Sequence, residues 1–160
     1  MKQQTLSDIE YANRRRITKR EDFLRTMDEL IPWEPWVARI RPHYYSGRKG
    51  RRPRDLETML RMYLLKHWYT LSDEGIEDAI NDSYAMREFM RLDFLKEQVP
   101  DASTLMRFRA LLRESGLEEA ILSEMDERIR EAGFKFHAGV MADASLIRTT
   151  RRKPSHQNEQ

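Results

Sequence analysis

The sequence has no cysteine, and this absence excludes disulfide bonds and metal sites built from thiolates. It also has no apolar run of about 18 residues, the length needed to cross a membrane as a helix. Residues 1–11 lack the apolar segment of a signal peptide. We therefore expect a cytoplasmic protein that is neither secreted nor membrane-spanning.

Glycine and histidine are also scarce. The six glycines include Gly47 and Gly50, whose spacing matches neither the P-loop nor the dinucleotide-binding fingerprint. The four histidines are too scattered to indicate a metal site. No signature favours a catalytic triad of serine, histidine and aspartate. The sequence thus carries no motif for nucleotide binding and no histidine pattern for metal binding.

Charged residues are abundant, and they are segregated along the chain. Lysine and arginine number 29 and aspartate and glutamate 27, so the net charge is only +2. Basic clusters beside acidic helices favour a protein that contacts phosphates. The alternative is simple solvation of exposed segments. The cations form three clusters: Arg14, Arg15, Arg16, Lys19 and Arg20; Arg48, Lys49, Arg51, Arg52 and Arg54; and Arg148, Arg151, Arg152 and Lys153.

Apolar residues recur at helical spacing through most of the chain, which predicts a mainly α fold with several helices. Thr18 and Glu21 match a capping box for a helix to about residue 31. A short helical piece is expected before Pro42, and the helix opened by Asp55 is apolar on nearly all sides, as a central helix would be. We expect a basic flexible arm (residues 1–17), a helical domain (18–133) and a C-terminal part (134–160).

The helix after Pro100 has the composition of a DNA-recognition helix. Asp101 or Ser103 can cap its first turn, and Gly116 ends it. Such a helix uses N-terminal residues for base edges and arginines for guanines or phosphates, and it could pair with the preceding acidic helix. The alternative is an ordinary amphipathic helix with arginines on its wet face. Its outer positions include Thr104, Arg107, Arg109 and Arg113.

The stretch from Gly139 to Ile147 is an apolar run of strand length with Asp143 at its centre. Read with period two, it is apolar on both faces, which predicts an interior strand. The segment that begins at Phe134 is expected to form the turn that leads into this strand. A carboxylate inside such a strand is costly unless it is paired, hydrogen-bonded or bound to a metal. Asp143 therefore requires a partner.

Several motifs in order resemble those of bacterial insertion-sequence transposases of the insertion-sequence-five group, whose catalytic residues are two aspartates and a glutamate. The likeness runs from about residue 14 to residue 147. It rests on Arg52-Pro53, Leu56-Glu57-Thr58-Met59-Leu60-Arg61, His67-Trp68-Tyr69-Thr70-Leu71-Ser72-Asp73, Glu77-Asp78-Ala79, Met86-Arg87, Phe89, Pro100-Asp101, Ser103-Thr104, Phe108-Arg109 and Asp143-Ala144-Ser145.

The resemblance implies a helical DNA-binding and assembly region, followed by one β-strand that would begin a ribonuclease-H-like catalytic domain. Asp143 matches the first catalytic aspartate of the family, which in the complete enzyme helps to hold Mg²⁺. Ser145 stands where we would expect threonine. The second aspartate, the glutamate and the later strands have no counterpart before Gln160, so we expect a chain truncated after the first catalytic aspartate.

A two-metal site needs several carboxylates, so we expect this chain alone to bind no metal tightly and neither to cleave nor to join DNA. We expect it to bind double-stranded DNA at transposon ends. The residues assigned to this contact are Arg14, Arg15 and Arg16 of the arm, Arg51, Arg52 and Arg54 of the loop, and Ser103, Thr104, Arg107, Arg109 and Arg113 of the helix.

An alternative of another class is a protein-interaction module that pairs with full-length transposase and inhibits it. The pairing surface would be the helix at residues 56–69 or the helix at residues 117–132. A homo-oligomer is also compatible with the sequence, whereas a membrane partner is not expected. A gene remnant without a selected role is the third possibility.

Overall fold

A computed structural model describes residues 4–14, 16–45, 53–139 and 143–149. In these ranges the chain is mainly helical, which confirms the predicted fold class. The C-terminal end holds two strands, β1 (Phe134–His137) and β2 (Ser145–Arg148), where the sequence predicted one. The helices are α1 (Leu6–Ala12), α2 (Lys19–Leu30), α3 (Trp33–Tyr44), α4 (Leu56–Tyr69), α5 (Asp73–Asp82), α6 (Tyr84–Met90), α7 (Ala102–Glu114) and α8 (Leu117–Glu131).

Short polar side chains set where several helices begin. Thr18 and Glu21 form the predicted capping box at α2, in which each side chain accepts from the other's backbone N–H. Asp55 caps α4 by accepting from the Thr58 N–H. Gly116 adopts a positive φ of 73° between α7 and α8, a backbone conformation that glycine tolerates well. These local signals were readable from the sequence.

Helix α3 continues past Pro42, so the prediction that it ends before this proline was wrong. Pro42 removes one backbone N–H from the last turn, a loss that other contacts can offset. Tyr44 is buried in that turn, and its hydroxyl donates to the Arg54 carbonyl at 2.6 Å. Packing of the final turn therefore outweighs the local effect of the proline.

Helix α4 is the centre of the molecule, as its apolar composition predicted. Ten of its residues are buried, because helices pack on several of its sides. Trp68 meets Phe23 of α2 and Phe89 of α6 edge-on, with ring centroids 5.7 and 5.5 Å apart. Edge-to-face contacts of this kind add to the burial of the rings themselves.

One arginine of α4 lies inside this core. Arg61 is 1% exposed and donates to Asp28 at 3.0 Å and to the Phe89 carbonyl at 2.8 Å. Its guanidinium also lies 4.0 Å from the centroid of the Trp33 ring. A buried charge persists only with such partners, and this arginine links α2, α3, α4 and α6.

The two strands form an antiparallel hairpin in which Phe134 pairs with Arg148 and His137 with Ser145. The expected strand over residues 139–147 is therefore shorter and begins later, and its partner β1 lies where a turn was expected. Residues 140–142 of that expected strand lie outside the described ranges. Pairing within the hairpin satisfies the backbone groups that a lone strand would leave open.

The hairpin packs onto the helical body. Phe136 stacks on Phe23 with ring centroids 6.2 Å apart, and the Gly139 N–H donates to the Trp68 carbonyl at 2.8 Å. Ala144 is buried in the same hydrophobic core as the helices. The C-terminal hairpin and the helices therefore share one core.

Helix α1 lies within the segment predicted to be a flexible basic arm. Its Asp8 accepts a hydrogen bond from the Tyr84 hydroxyl at the start of α6. Among the described helices, none combines the length and the apolar character that a membrane crossing requires.

Candidate functional site

Helix α7 begins with a well-formed cap. The Asp101 carboxylate accepts from the Thr104 N–H at 2.8 Å and from the Ser103 hydroxyl at 3.0 Å. These hydrogen bonds, chiefly those from Thr104, lower the pKa of the Asp101 carboxyl. Of the two predicted caps, the structure has Asp101, which leaves the Ser103 side chain exposed at the first turn.

The inner face of α7 is apolar, as its spacing predicted. Leu105, Phe108 and Leu112 are buried, and Phe108 meets Tyr44 and Tyr63 edge-on at centroid distances of 5.9 and 6.3 Å. The opposite face is open to solvent because neighbouring helices cover only the inner side. It is defined by its exposed residues and is called the α7 face below: Ser103, Met106, Arg107, Ala110, Arg113 and Glu114.

Two cations of the α7 face are available to a ligand. Arg107 is exposed, and its guanidinium lies 3.5 Å from the Thr104 hydroxyl. The Arg113 side chain is 68% exposed, with its Nε 3.9 Å from a Glu118 carboxylate oxygen. Long contacts such as these hold an exposed guanidinium weakly, so both charges can turn to an incoming phosphate or base.

Arg109, predicted at an outer position, turns toward α5 instead. Its Nε and Nη2 donate to the two carboxylate oxygens of Asp73 at 3.0 and 2.8 Å. The side chains are 25% and 15% exposed, respectively. The hydrogen bond with Asp73 raises the pKa of Arg109. Glu77, about one turn after Asp73 on α5, accepts from the Ala102 N–H at the start of α7 at 3.1 Å, so α5 holds α7 at two points.

The described arginines of the arm and the loop contact parts of the chain other than the α7 face. Arg14 pairs with the buried Glu21 at 2.7 Å, and Arg16 is exposed. Arg54 donates to the Gln98 carbonyl beside the start of α7. The other predicted contact residues of these segments, Arg15, Arg51 and Arg52, lie outside the described residues.

The sequence predicted that Asp143 lies inside an apolar strand, and this was wrong. Asp143 lies two residues before β2 instead. Its side chain is 46% exposed, and its Oδ1 accepts from Arg20 Nε at 2.8 Å and from Nη2 at 2.6 Å. The Arg20 guanidinium also lies 5.2 Å from the centroid of the Tyr69 ring. The partner that Asp143 required is thus an arginine of α2, 123 positions earlier in the chain.

As far as the described residues show, the surroundings of Asp143 do not fit a magnesium site. Magnesium requires an octahedral set of oxygen ligands, which a two-metal site supplies through several carboxylates. Within the described ranges, no group of three histidine or acidic side chains could hold a metal ion. The group nearest to the carboxylate is instead a cation, Arg20.

Sequence reasoning missed two of the residues that shape these sites. The sequence predicts solvent or phosphate contact for the basic cluster of Arg20. It predicts that the acidic helix of Asp73 can pair with the helix after Pro100, without indicating which side chains meet. Arg20 and Asp73 each pair with a residue far along the chain. No spacing rule along one segment could have identified either partner.

A comparison with protein families gives one match. The model of the family described as Transposase domain (DUF772) matches residues 12–111. This range runs from the end of α1 into α7 and excludes the hairpin with Asp143. No solved structure matches the chain.

Proposed function

Because the chain belongs to this family of transposase domains, we propose that it binds double-stranded DNA at transposon ends through the α7 face. The finer assignment, to the insertion-sequence-five group with its two aspartates and a glutamate, is part of the proposal. It is supported by motifs such as Pro100-Asp101 and Ser103-Thr104 in the matched range.

The observation that carries the proposal is the composition of the α7 face. Arg107 lies in the N-terminal half of an exposed helical surface, one turn beyond Ser103. A helix of this kind fits the major groove. There arginine binds guanine through two hydrogen bonds, and the serine hydroxyl can donate a hydrogen bond to a base edge or accept one from it. In this proposal Arg107 and Ser103 contact base edges, and Arg113 contacts a phosphate.

The neighbouring helix restricts how DNA can approach. Arg109 faces α5. Arg107 points to nearly the opposite side, because residues two positions apart in a helix are rotated by about 200° relative to each other about the helix axis. Glu74 and Asp78 of α5 are exposed and would repel phosphates. We therefore place the DNA backbone on the Arg107 side of α7, away from α5.

The arm and the loop are secondary contacts in this proposal. Arg16 is exposed and can reach a phosphate, whereas Arg14 already pairs with Glu21. Arg15, Arg51, Arg52 and Arg54 complete the proposed basic contacts, and each would contribute charge without reading sequence.

The alternative of pairing with full-length transposase is less well supported. Helix α4 is enclosed by the core, so a pairing surface there would require the core to open. Helix α8 exposes mostly charged side chains, including Glu119 and Glu127, a composition depleted at the centres of protein interfaces. Co-purification with transposase that persists after nuclease treatment would favour this alternative.

The test begins with selection of preferred duplexes from a randomised DNA library. Fluorescence anisotropy then measures the affinity of the wild-type chain and of Arg107→Ala at several salt concentrations. We expect a steep fall of affinity with salt, and a loss of about 1 to 3 kcal/mol for Arg107→Ala on the selected site. Arg128→Ala, an exposed arginine of α8, is the matched control.

Two outcomes would contradict the proposal. One is an affinity that does not change with salt. The other is an equal loss for Arg107→Ala and Arg128→Ala, which would mean that α7 has no special role.

A further inference from the structure

One large apolar side chain lies on the α7 face. Met106 is 54% exposed. The other apolar side chains of similar size on this helix are buried (Leu105, Phe108 and Leu112) or half-buried (Leu111). Exposure of a large apolar group costs free energy that a binding partner can recover. The neighbours of Met106 indicate which partner this is.

Polar and basic groups surround Met106. Ser103 lies about one turn before it, Arg107 follows it directly, and Arg113 lies about two turns beyond it on the same face. The only other apolar residue of the α7 face, among the described residues, is Ala110. The centre of the face is therefore a small apolar spot, Met106 with Ala110, flanked by Arg107 and Arg113, while the acid of the face, Glu114, lies at the C-terminal end of the helix.

This combination suits a polyanion that offers a small apolar group. In the major groove, the C5-methyl group of thymine is the one apolar feature of the base edges, and proteins contact it with apolar side chains. The flanking arginines supply the charge complementarity for the phosphates on either side. A protein partner would more often meet a larger apolar patch than one methionine and one alanine.

We infer that Met106, together with Ala110, packs against thymine methyl groups and so determines part of the DNA sequence preference. The inference rests on the proposed function, because it requires α7 to enter the major groove. Met106 and Ala110 are separated by about 6 Å along the helix axis, which corresponds to roughly two base-pair steps of 3.4 Å. The two side chains can therefore contact methyl groups on base pairs that are two steps apart.

Arg107 adds a second element to the expected site. Since it follows Met106 directly and faces the same groove, its guanidinium can bind a guanine beside the thymine that Met106 contacts. We expect the selected sequences to contain thymine next to guanine at one fixed place.

The experiment replaces each thymine of the selected duplex in turn by deoxyuridine, which removes only the methyl group. For the wild-type chain we expect one or two positions at which the replacement weakens binding about four-fold, the effect of burying one methyl-sized group. For Met106→Ala we expect weaker binding to the thymine duplex and no further loss with deoxyuridine at the position that Met106 contacts, whereas a position that Ala110 contacts keeps its loss. Met106→Leu should keep the discrimination, because it retains an apolar side chain of similar size.

Leu95→Ala is the control for loss of an exposed apolar side chain, since Leu95 lies outside α7 and is also exposed. This variant should keep the wild-type response to deoxyuridine. Thermal unfolding of all variants would show that they are folded at the temperature of the assay.

The results separate the inference from the function on which it rests. If no deoxyuridine position affects the wild-type chain while Arg107→Ala still loses affinity, the thymine contact is refuted and DNA binding by α7 stands. If Arg107→Ala and salt change nothing, DNA binding by α7 itself is refuted. If Met106→Ala leaves DNA binding unchanged but abolishes self-association in analytical ultracentrifugation, Met106 serves a protein contact and the inference is wrong.

Discussion

Arg109 of α7 and Asp73 of α5 form an ion pair through two hydrogen bonds of 3.0 and 2.8 Å. The pair turns one arginine of α7 away from solvent, while burial of Leu105, Phe108 and Leu112 sets the rotation of the helix about its own axis. Arg107, two positions earlier, is left on the opposite, exposed side. The pair thereby removes Arg109 from the cations that the α7 face offers to a ligand.

The first prediction concerns the strength of this ion pair. Arg109→Ala should lower the free energy of unfolding by about 1 to 2 kcal/mol, between the values typical of exposed and buried pairs. A double-mutant cycle with Asp73→Ala, followed by urea unfolding, measures the coupling directly. We expect a coupling of about 1 kcal/mol, and a value near zero would mean that the pair does not hold α7.

The second prediction concerns the cap of α7 and its pH dependence. The pKa of Asp101 is lowered from its ordinary value of 3.8, so its contribution to stability is present above that value. This contribution is lost as the pH falls through the lower pKa of the folded state. Asp101→Ala should lower the free energy of unfolding by about 1 kcal/mol at neutral pH.

Asp101→Asn is the matched variant for this cap, because an asparagine side chain accepts the same hydrogen bond without titrating. The difference in unfolding free energy between wild type and Asp101→Asn, measured by urea unfolding from pH 2 to pH 7, should fall below about pH 4. A difference that is constant over this range would show that Asp101 does not act through its charge.

The third prediction concerns the acidic surface of α5. Glu74→Gln with Asp78→Asn should raise the affinity for any DNA duplex roughly two- to ten-fold at low salt, because two charges that repel phosphates are removed. The gain should shrink at high salt. Fluorescence anisotropy with selected and unrelated duplexes measures both effects, and Glu29→Gln on α2 is the control.

An unchanged affinity in the double variant would place the DNA farther from α5 than we propose. A decrease would reverse the proposed approach and put the acidic surface in favourable contact with the ligand.

The fourth prediction concerns catalysis. With Arg20 as its nearest partner, Asp143 should support no cleavage or joining of DNA by this chain alone. The assay incubates the chain with supercoiled DNA that carries the selected site, in the presence of Mg²⁺, and follows nicking on a gel. Asp143→Asn is run in parallel, and nicking by the wild type that this variant lacks would overturn the prediction.

The helices were largely predictable because their signals are local. The capping box of Thr18 and Glu21, the cap at Asp101 and the break at Gly116 act within one turn of chain. The central position of α4 was likewise predictable from the spacing of its apolar residues along the chain. Hydrogen bonds and side-chain spacing along one segment therefore suffice to define these elements.

The sites were less predictable because they depend on residues that only folding brings together. The sequence shows that Asp143 is a carboxylate in need of a partner, yet its spacing identifies neither Arg20 as that partner nor β1 as the strand that pairs with β2. Arg109 has the sequence position of an outer residue, and Asp73 on another helix turns it inward.

Local composition thus specified the helices, their ends and the positively charged character of α7. Packing of α5 against α7, and of the hairpin against α2, decided which charges are neutralised inside the protein and which remain for a ligand. The physical reason is that the Coulomb energy of an ion pair depends on the distance between its charges in space, which the order of residues along the chain does not contain.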